Sequence, residues 1–391
     1  MSSTILTDAV HDVWVESFDR SGTNVAGEAP WSVRKRRLRG GRRDGVDLIE
    51  LNNGTLVLEI VPTRGMGLWR GRAGGTRLGW DSPVRDGPVN PAFVEPMALA
   101  GLGWLQGFDE LLARCGLEHN GAPYAETAPD GRTTIYPLHG SIANIPAHYV
   151  AVHVDDEPPH TITIEGQVDE ARLFGPAIRM TTRISTTPGS SRATVRDEFT
   201  NLGDLPTDMQ VLYHWNFGPP LLEEGARVIV PAKTVVPRNA RAAEGLGHYD
   251  VYGPPEPGFA EQVYLFELHG EGETGRTLAL LRDRAGSKGV ALRFATAQLP
   301  CFTVWKQTGG IKDGYVTGLE PATNYPNPKP FEQARGRVVR LAPGASHVAE
   351  TTLEVLGTPE AVAEAERKIQ RLGGDRGPLI HPGPIEPFVS G

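Results

Sequence analysis

The chain has 391 residues, of which 22% are charged and 39% hydrophobic, with a formal net charge of −8. That balance argues against a general nucleic-acid binder, and no apolar run reaches the ~18 residues of a membrane-spanning helix. Glycine (47) and proline (33) are abundant while cysteine is scarce (2), which points to many short strands joined by turns and away from a disulfide scaffold.

The N-terminal text has no charged start followed by an apolar stretch and does not read as a secretory signal. Cys115 and Cys301 lie far apart and form no CxxC, so reduced thiols in a cytoplasmic protein are expected. Residues 1–44 read as an irregular lead-in with a basic run, in which seven of the ten residues 34–43 are Lys or Arg. Such a run grips an anion or forms a solvated edge or subunit contact. The expectation is the latter, in a monomer or homodimer with no nucleic-acid and no membrane partner.

Over 46–61 two alternating runs flank Asn53-Gly54, a pair suited to a tight hairpin turn. Arg64 stands at the exit of the second run, and the glycines on either side of Met66 allow close backbone approach. Residues 68–80 suggest a short strand pair and 81–96 a proline-rich loop. The stretch 105–116 predicts a short helix, with Asp109 and Glu110 early, Arg114 late and Gly116 as terminator.

From 147 onward strands follow one another: 148–154, 161–168, 177–187, 191–201, 207–214, 228–237, 262–268, 277–281, 289–294, 302–307, 337–341 and 347–355. Their ~8–12-residue spacing and turn signals indicate an antiparallel sandwich or barrel. Thr358 caps a last helix with Pro359 at its first position and Gly373 at its end. Ala361, Ala365, Ile369 and Leu372 form its inner stripe, and a Pro/Gly-rich tail begins at Arg376. There is no βαβ alternation, repeat or linker. The organisation is therefore a lead-in (1–44), one all-β domain (45–356) and a C-terminal helix and tail (357–391).

The sequence contains no P-loop, dinucleotide fingerprint, nucleophile elbow or HExxH. Three ionisable residues stand between apolar residues and turn formers: His139 in Pro137-Leu138-His139-Gly140, His214 near the end of an apolar run, and Glu320 in Gly318-Leu319-Glu320-Pro321. An imidazole in that setting is either a hydrogen-bonded core residue or a group held to move protons. Two histidines and a carboxylate could also hold a divalent transition metal, but nothing in the spacing requires one, and no cofactor is expected. Trp104, Trp215 and Trp305 are core residues or flat stacking faces for a ligand. Lys306 points opposite to Trp305 along a strand and is assigned to the cleft, where it would bind an anionic group or polarise a carbonyl.

Taken together, Pro62-Thr63-Arg64-Gly65-Met66, Cys115-Gly116-Leu117, Leu138-His139-Gly140, Tyr213-His214-Trp215-Asn216-Phe217 and Gly318-Leu319-Glu320-Pro321 carry a resemblance. In order and spacing, over roughly 45–356, the chain resembles the galactose mutarotase (aldose 1-epimerase) superfamily and within it the DUF4432 branch. The resemblance implies a β-supersandwich with a sugar on its concave face. It implies His214 as general acid and Glu320 as general base, on opposite sides of one ring, and His139, Arg64 and Glu261 as substrate contacts. The implied activity is a carbohydrate-active isomerase that interconverts sugar anomers. The alternatives are a keto-sugar isomerase or lyase using the same glutamate, with or without a metal, and a non-catalytic carbohydrate-binding protein.

Overall fold

The computed structural model describes residues 2–22, 30–127, 130–374 and 377–390. Two large, mainly antiparallel sheets face each other. The smaller runs in the order Arg227–Ile229, Arg276–Arg282, Gly289–Ala295, Ser346–Leu356, Arg192–Asn201, Ala177–Thr186, Ile162–Ala171, Tyr149–Val154, Ser2–Asp8, Val13–Trp14. The middle of the larger carries Ala232–Pro237, Gln262–Leu268, Cys301–Thr308, Tyr315–Ala322, Thr207–Phe217 and Leu112–Leu117 side by side. The fold is an all-β sandwich with few helices.

Strict alternation builds the sandwich. Over 162–168 and along Ala177–Thr186 every second residue is buried, because successive residues of a strand point to opposite faces. Val195, Phe199, Met180 and Ile184 of the smaller sheet meet Val211, Tyr213, Trp215, Phe302, Val304 and Leu319 of the larger in one continuous core. A fully buried ion pair crosses that core. Arg114 from the larger sheet donates Nε and Nη2 to the two carboxylate oxygens of Asp197, each at 3.0 Å, and the Tyr213 hydroxyl donates to the same carboxylate at 2.8 Å.

The hairpin at 46–61 forms as read, with Gly54 at φ +91°. The Asn53 side-chain oxygen accepts from the N–H groups of Thr55 and Leu56. Its amide donates to Thr186 Oγ1, tying the turn to the other sheet. The C-terminal helix is Pro359–Gly373, capped by Thr358, with Val362, Ala365 and Ile369 buried against the outer face of the smaller sheet.

Three expectations are corrected. Residues 1–44 are not an irregular lead-in: Ser2–Asp8 pairs with Tyr149–Val154, and Phe18–Gly22 and Trp31–Arg37 extend the larger sheet. A partner nearly 150 residues away leaves no local signal. The basic run lies along that strand and the turn after it, where Arg34 meets Asp19, Lys35 and Arg37 meet Asp47, Arg39 meets Glu16 and Arg42 meets Asp86. Residues 105–116 form no such helix; a short 3-10 turn ends at Gln106, and Leu112–Leu117 is a strand with all six residues buried. Burial on both faces, and pairing with Thr207–Phe217, override helical propensity. Finally, 228–237 is two strands in different sheets, Arg227–Ile229 and Ala232–Pro237, separated at Pro231. Among the described residues no helix is long and apolar enough to cross a membrane.

Candidate active site

Because Tyr213, Trp215, Val304 and Leu319 face the core, the residues between them face the other way, into a cleft on the outer side of the larger sheet. Antiparallel register aligns them. Trp215 pairs with Leu319 and Leu212 with Ala322, so His214 comes opposite Glu320, and Glu320 in turn pairs with Thr303 on its other side. The same face carries Trp305. The cleft has a volume of about 340 Å³ and is lined by these residues with Trp104, Phe108, His139, Arg238 and Glu261. That size suits a small molecule.

His214 and Glu320 are the centre of the cleft. Both are buried, at 4% and 3% exposure, and Nε2 of His214 lies 3.2 Å from Oε1 of Glu320. The contact lacks the alignment of a hydrogen bond, and that carboxyl oxygen has no other partner. The imidazole tautomer follows from Asn216. Its amide nitrogen donates to the carbonyls of Glu110 and His214, at 3.0 and 2.8 Å, so its oxygen must accept from Nδ1 of His214 at 2.6 Å. Nδ1 therefore bears the hydrogen, and Nε2, 3.2 Å from Glu320, is left with its lone pair.

Burial governs the protonation of both groups. Desolvation pushes Glu320 up to about 8, with Arg238 opposing and Glu261 reinforcing the shift. Desolvation and the neighbouring His139 push His214 down to about 3, against the Asn216 hydrogen bond. At neutral pH the pair thus holds its one exchangeable proton on Glu320, with a neutral imidazole beside it. The implied roles, His214 as acid and Glu320 as base, belong to the form in which that proton has crossed to Nε2.

His139 enters the same cleft, its ring 5.5 Å from that of His214 and 4.7 Å from that of Trp104. Its Nδ1 donates to the Asn120 carbonyl at 2.9 Å, and burial pushes it down to about 4. It holds φ +60°, a left-handed conformation that costs a non-glycine residue of order 1 kcal/mol and aims the ring inward. Phe108 and Trp305 close the sides of His214, with ring centroids at 5.1 and 5.4 Å. Glu261 sits at the rim, its carboxylate accepting from Trp305 Nε1 at 2.6 Å.

Two assigned residues fall outside the cleft. Arg64 is buried one layer beneath it. Its guanidinium pairs with Glu110 and donates to the Val89 carbonyl and to Asn144, so it does not reach into the cavity. Lys306 points to the core side, as its alternation with the cleft-lining Trp305 requires. Its ammonium donates to the carbonyls of His248 and Val251, at 2.8 and 2.6 Å. Trp215, considered as a stacking face, is wholly in the core, whereas Trp104 and Trp305 line the cleft. Among the described residues no group of three or more His, Cys, Asp or Glu is placed to hold a metal ion.

Sequence reasoning missed Phe108, hidden in the supposed helix, and Arg238, which follows the Ala232–Pro237 strand with no motif around it. It also gave no role to Gly318. A methyl group there would meet Oε1 of Glu320 at 2.4 Å and Cε1 of His214 at 3.0 Å. Gly318→Ala is expected to displace the pair and lower turnover by about 10²-fold, the scale of a 1 Å misplacement. Its unfolding midpoint should stay near that of the wild type; steady-state kinetics with a melting curve checks both.

Residues 43–355 match the family model described as a domain of unknown function (DUF4432). A "putative aldose 1-epimerase" from Klebsiella pneumoniae is 37% identical, with 98% of this chain and 99% of that one covered and a TM-score of 0.93. A galactose mutarotase-like protein from Clostridium acetobutylicum shares the fold at 15% identity, 87% and 98% coverage and a TM-score of 0.56. So does galactose 1-epimerase from Lactobacillus acidophilus, at 12% identity, 87% and 99% coverage and a TM-score of 0.52. No curated protein matches the chain. With its sandwich fold and its match across most of its length, the chain belongs to the DUF4432 family of galactose mutarotase-like proteins.

Proposed function

We propose that the chain is a carbohydrate-active isomerase that interconverts the anomers of a sugar or sugar derivative in the His214–Glu320 cleft. The observation that carries this reading is the buried imidazole–carboxyl pair, 3.2 Å apart, in the cleft. Mutarotation takes a proton from the anomeric hydroxyl and gives one to the ring oxygen. The bond from the anomeric carbon to the ring oxygen breaks as the carbonyl forms; the free aldehyde rotates and the ring recloses on its other face. Both oxygens hang on one carbon, so an acid and a base on neighbouring strands serve them together, and the pair need not straddle the ring.

In the resting protonation Glu320 donates and Nε2 of His214 accepts. Ring opening leaves a carboxylate and an imidazolium, the expected base and acid, and reclosure runs the roles in reverse. His139 contacts the substrate, Trp104 and Trp305 offer stacking faces, and the chemistry uses no cofactor. Each positioned proton transfer contributes ~10²–10⁴-fold. We place this activity in the cytoplasm, in a monomer or homodimer; the unpaired, buried Cys115 and Cys301 suit a reducing compartment.

The test is anomeric exchange by NMR against a panel of sugars, where at least one should exchange faster than its spontaneous rate. Deuterium appearing on carbon would instead indicate keto-sugar chemistry, since ring opening moves only oxygen-bound protons. The pH profile is a second check. The one-proton pair exists between the titrations of His214, about 3, and Glu320, about 8. The rate constant kcat/KM should be flat through neutrality, fall about tenfold per pH unit above about 8 as the proton is lost, and fall again at strong acid as a second is gained.

A further inference from the structure

The cleft contains a cation that the acid–base reading leaves unused. Arg238 directly follows the Ala232–Pro237 strand, and its backbone N–H donates to the Val263 carbonyl. Val263 pairs with Trp305 in the next strand, so Arg238 continues the row that leads across the sheet to the reacting pair. Its guanidinium lines the cleft, half-buried, and makes no hydrogen bond or ion pair with any described residue. The two fully buried arginines, Arg64 and Arg114, by contrast each pair with a carboxylate, Glu110 and Asp197. The rim carboxylate Glu261 is engaged by the Trp305 indole instead.

Other polar atoms in the cleft are also unpartnered. Thr303 Oγ1 and Trp104 Nε1, of residues that line it, are buried without a hydrogen bond to any described residue, like Oε1 of Glu320. Buried polar groups are ordinarily paired, and a partly desolvated cation is costly without a counter-charge. A cleft with one free guanidinium, one free indole N–H and one free hydroxyl is furnished for a hydroxylated ligand that carries an anion.

We propose that this cleft takes an acidic sugar, one bearing a carboxylate or phosphate that Arg238 holds while Thr303 and Trp104 bind ring oxygens. The proposal rests on the sugar-isomerase reading and names the substrate class within it. The planar fork of an arginine matches the oxygens of either anion in a bidentate pair. It also supplies the anionic recognition that the sequence placed on Lys306, whose ammonium is turned into the core.

The experiment compares glucose, glucuronate and glucose 6-phosphate, with the corresponding galactose series, in wild type and Arg238→Gln. Binding by calorimetry and anomeric exchange by NMR are measured separately. At least one anionic class should bind the wild type ten times more tightly than its neutral parent, with affinity falling as salt is added. The uronate and phosphate arms identify which anion is read. Arg238→Gln should raise the KM for that sugar at least tenfold while kcat changes less, and Arg238→Lys should restore part of the loss. Neutral sugars binding as tightly as both anionic forms, or Arg238→Gln shifting no anionic KM or Kd by more than twofold in a folded protein, overturns the proposal while leaving the isomerase intact. Arg238-dependent binding of an acidic sugar without anomeric exchange upholds the ligand class and removes the isomerase reading.

Discussion

Glu320→Gln is expected to lower turnover by ~10²–10⁴-fold, the contribution of one positioned proton-transfer group. The amide is nearly isosteric with the protonated carboxyl that the buried site favours, so the substitution introduces neither a cavity nor a charge. The neighbouring strands Cys301–Thr308 and Thr207–Phe217 keep their register. What disappears is the exchangeable proton: an amide neither yields one to a ring oxygen nor takes one from a hydroxyl. His214 is left with its Nε2 lone pair and no proton to pass on. The effect should appear in kcat with little change in KM, as for a group that acts chiefly in the transition state. The fall above pH 8 should vanish from what activity remains. A folded Glu320→Gln protein with near wild-type turnover would remove Glu320 from the mechanism. His214→Asn is expected to behave alike, and the double variant should lose little more than either single one, because the two groups share one proton.

Asp197→Ala is expected to destabilise the fold by about 3–5 kcal/mol, the usual consequence of leaving one member of a buried ion pair uncompensated. Both side chains of the Arg114–Asp197 pair are fully buried. Removing the carboxylate strands the guanidinium between the sheets with only the Met66 carbonyl and Thr182 hydroxyl as partners, and it deprives the Tyr213 hydroxyl of its acceptor. Arg114 and Tyr213 lie on the two strands that pair beside His214, so partial loss of activity should accompany the loss of stability. Chemical denaturation reads the effect as a lower midpoint at an unchanged slope. A midpoint within the range of a surface substitution would show that the pair is dispensable.

The chain's own text determined the alternating strands of the smaller sheet, because alternation is a local property: Ile162–Ala171, Ala177–Thr186 and Arg192–Asn201 each carry their burial pattern in consecutive letters. It also marked His139, His214 and Glu320 as ionisable groups in apolar settings. The Thr358 cap and the Asn53-Gly54 turn were legible for the same reason, since each depends on a few neighbouring residues. Tertiary structure alone decided which face of each strand looks where. Period two says that Trp305 and Lys306 point apart, but not which of them meets the cleft; the neighbouring sheet settles that by covering the side that carries Val304 and Lys306. In the same way Arg64, expected in the cleft as a substrate contact, and Arg114, expected near the end of a helix, are instead both drawn inside by carboxylates distant in sequence. The protonation of the central pair, the hydrogen on Nδ1 of His214 and the freedom of Arg238 come from desolvation and from partners that no stretch of sequence brings together. Such terms are set by what surrounds a side chain in space, and pairing over one hundred residues or more is what supplies the surroundings here.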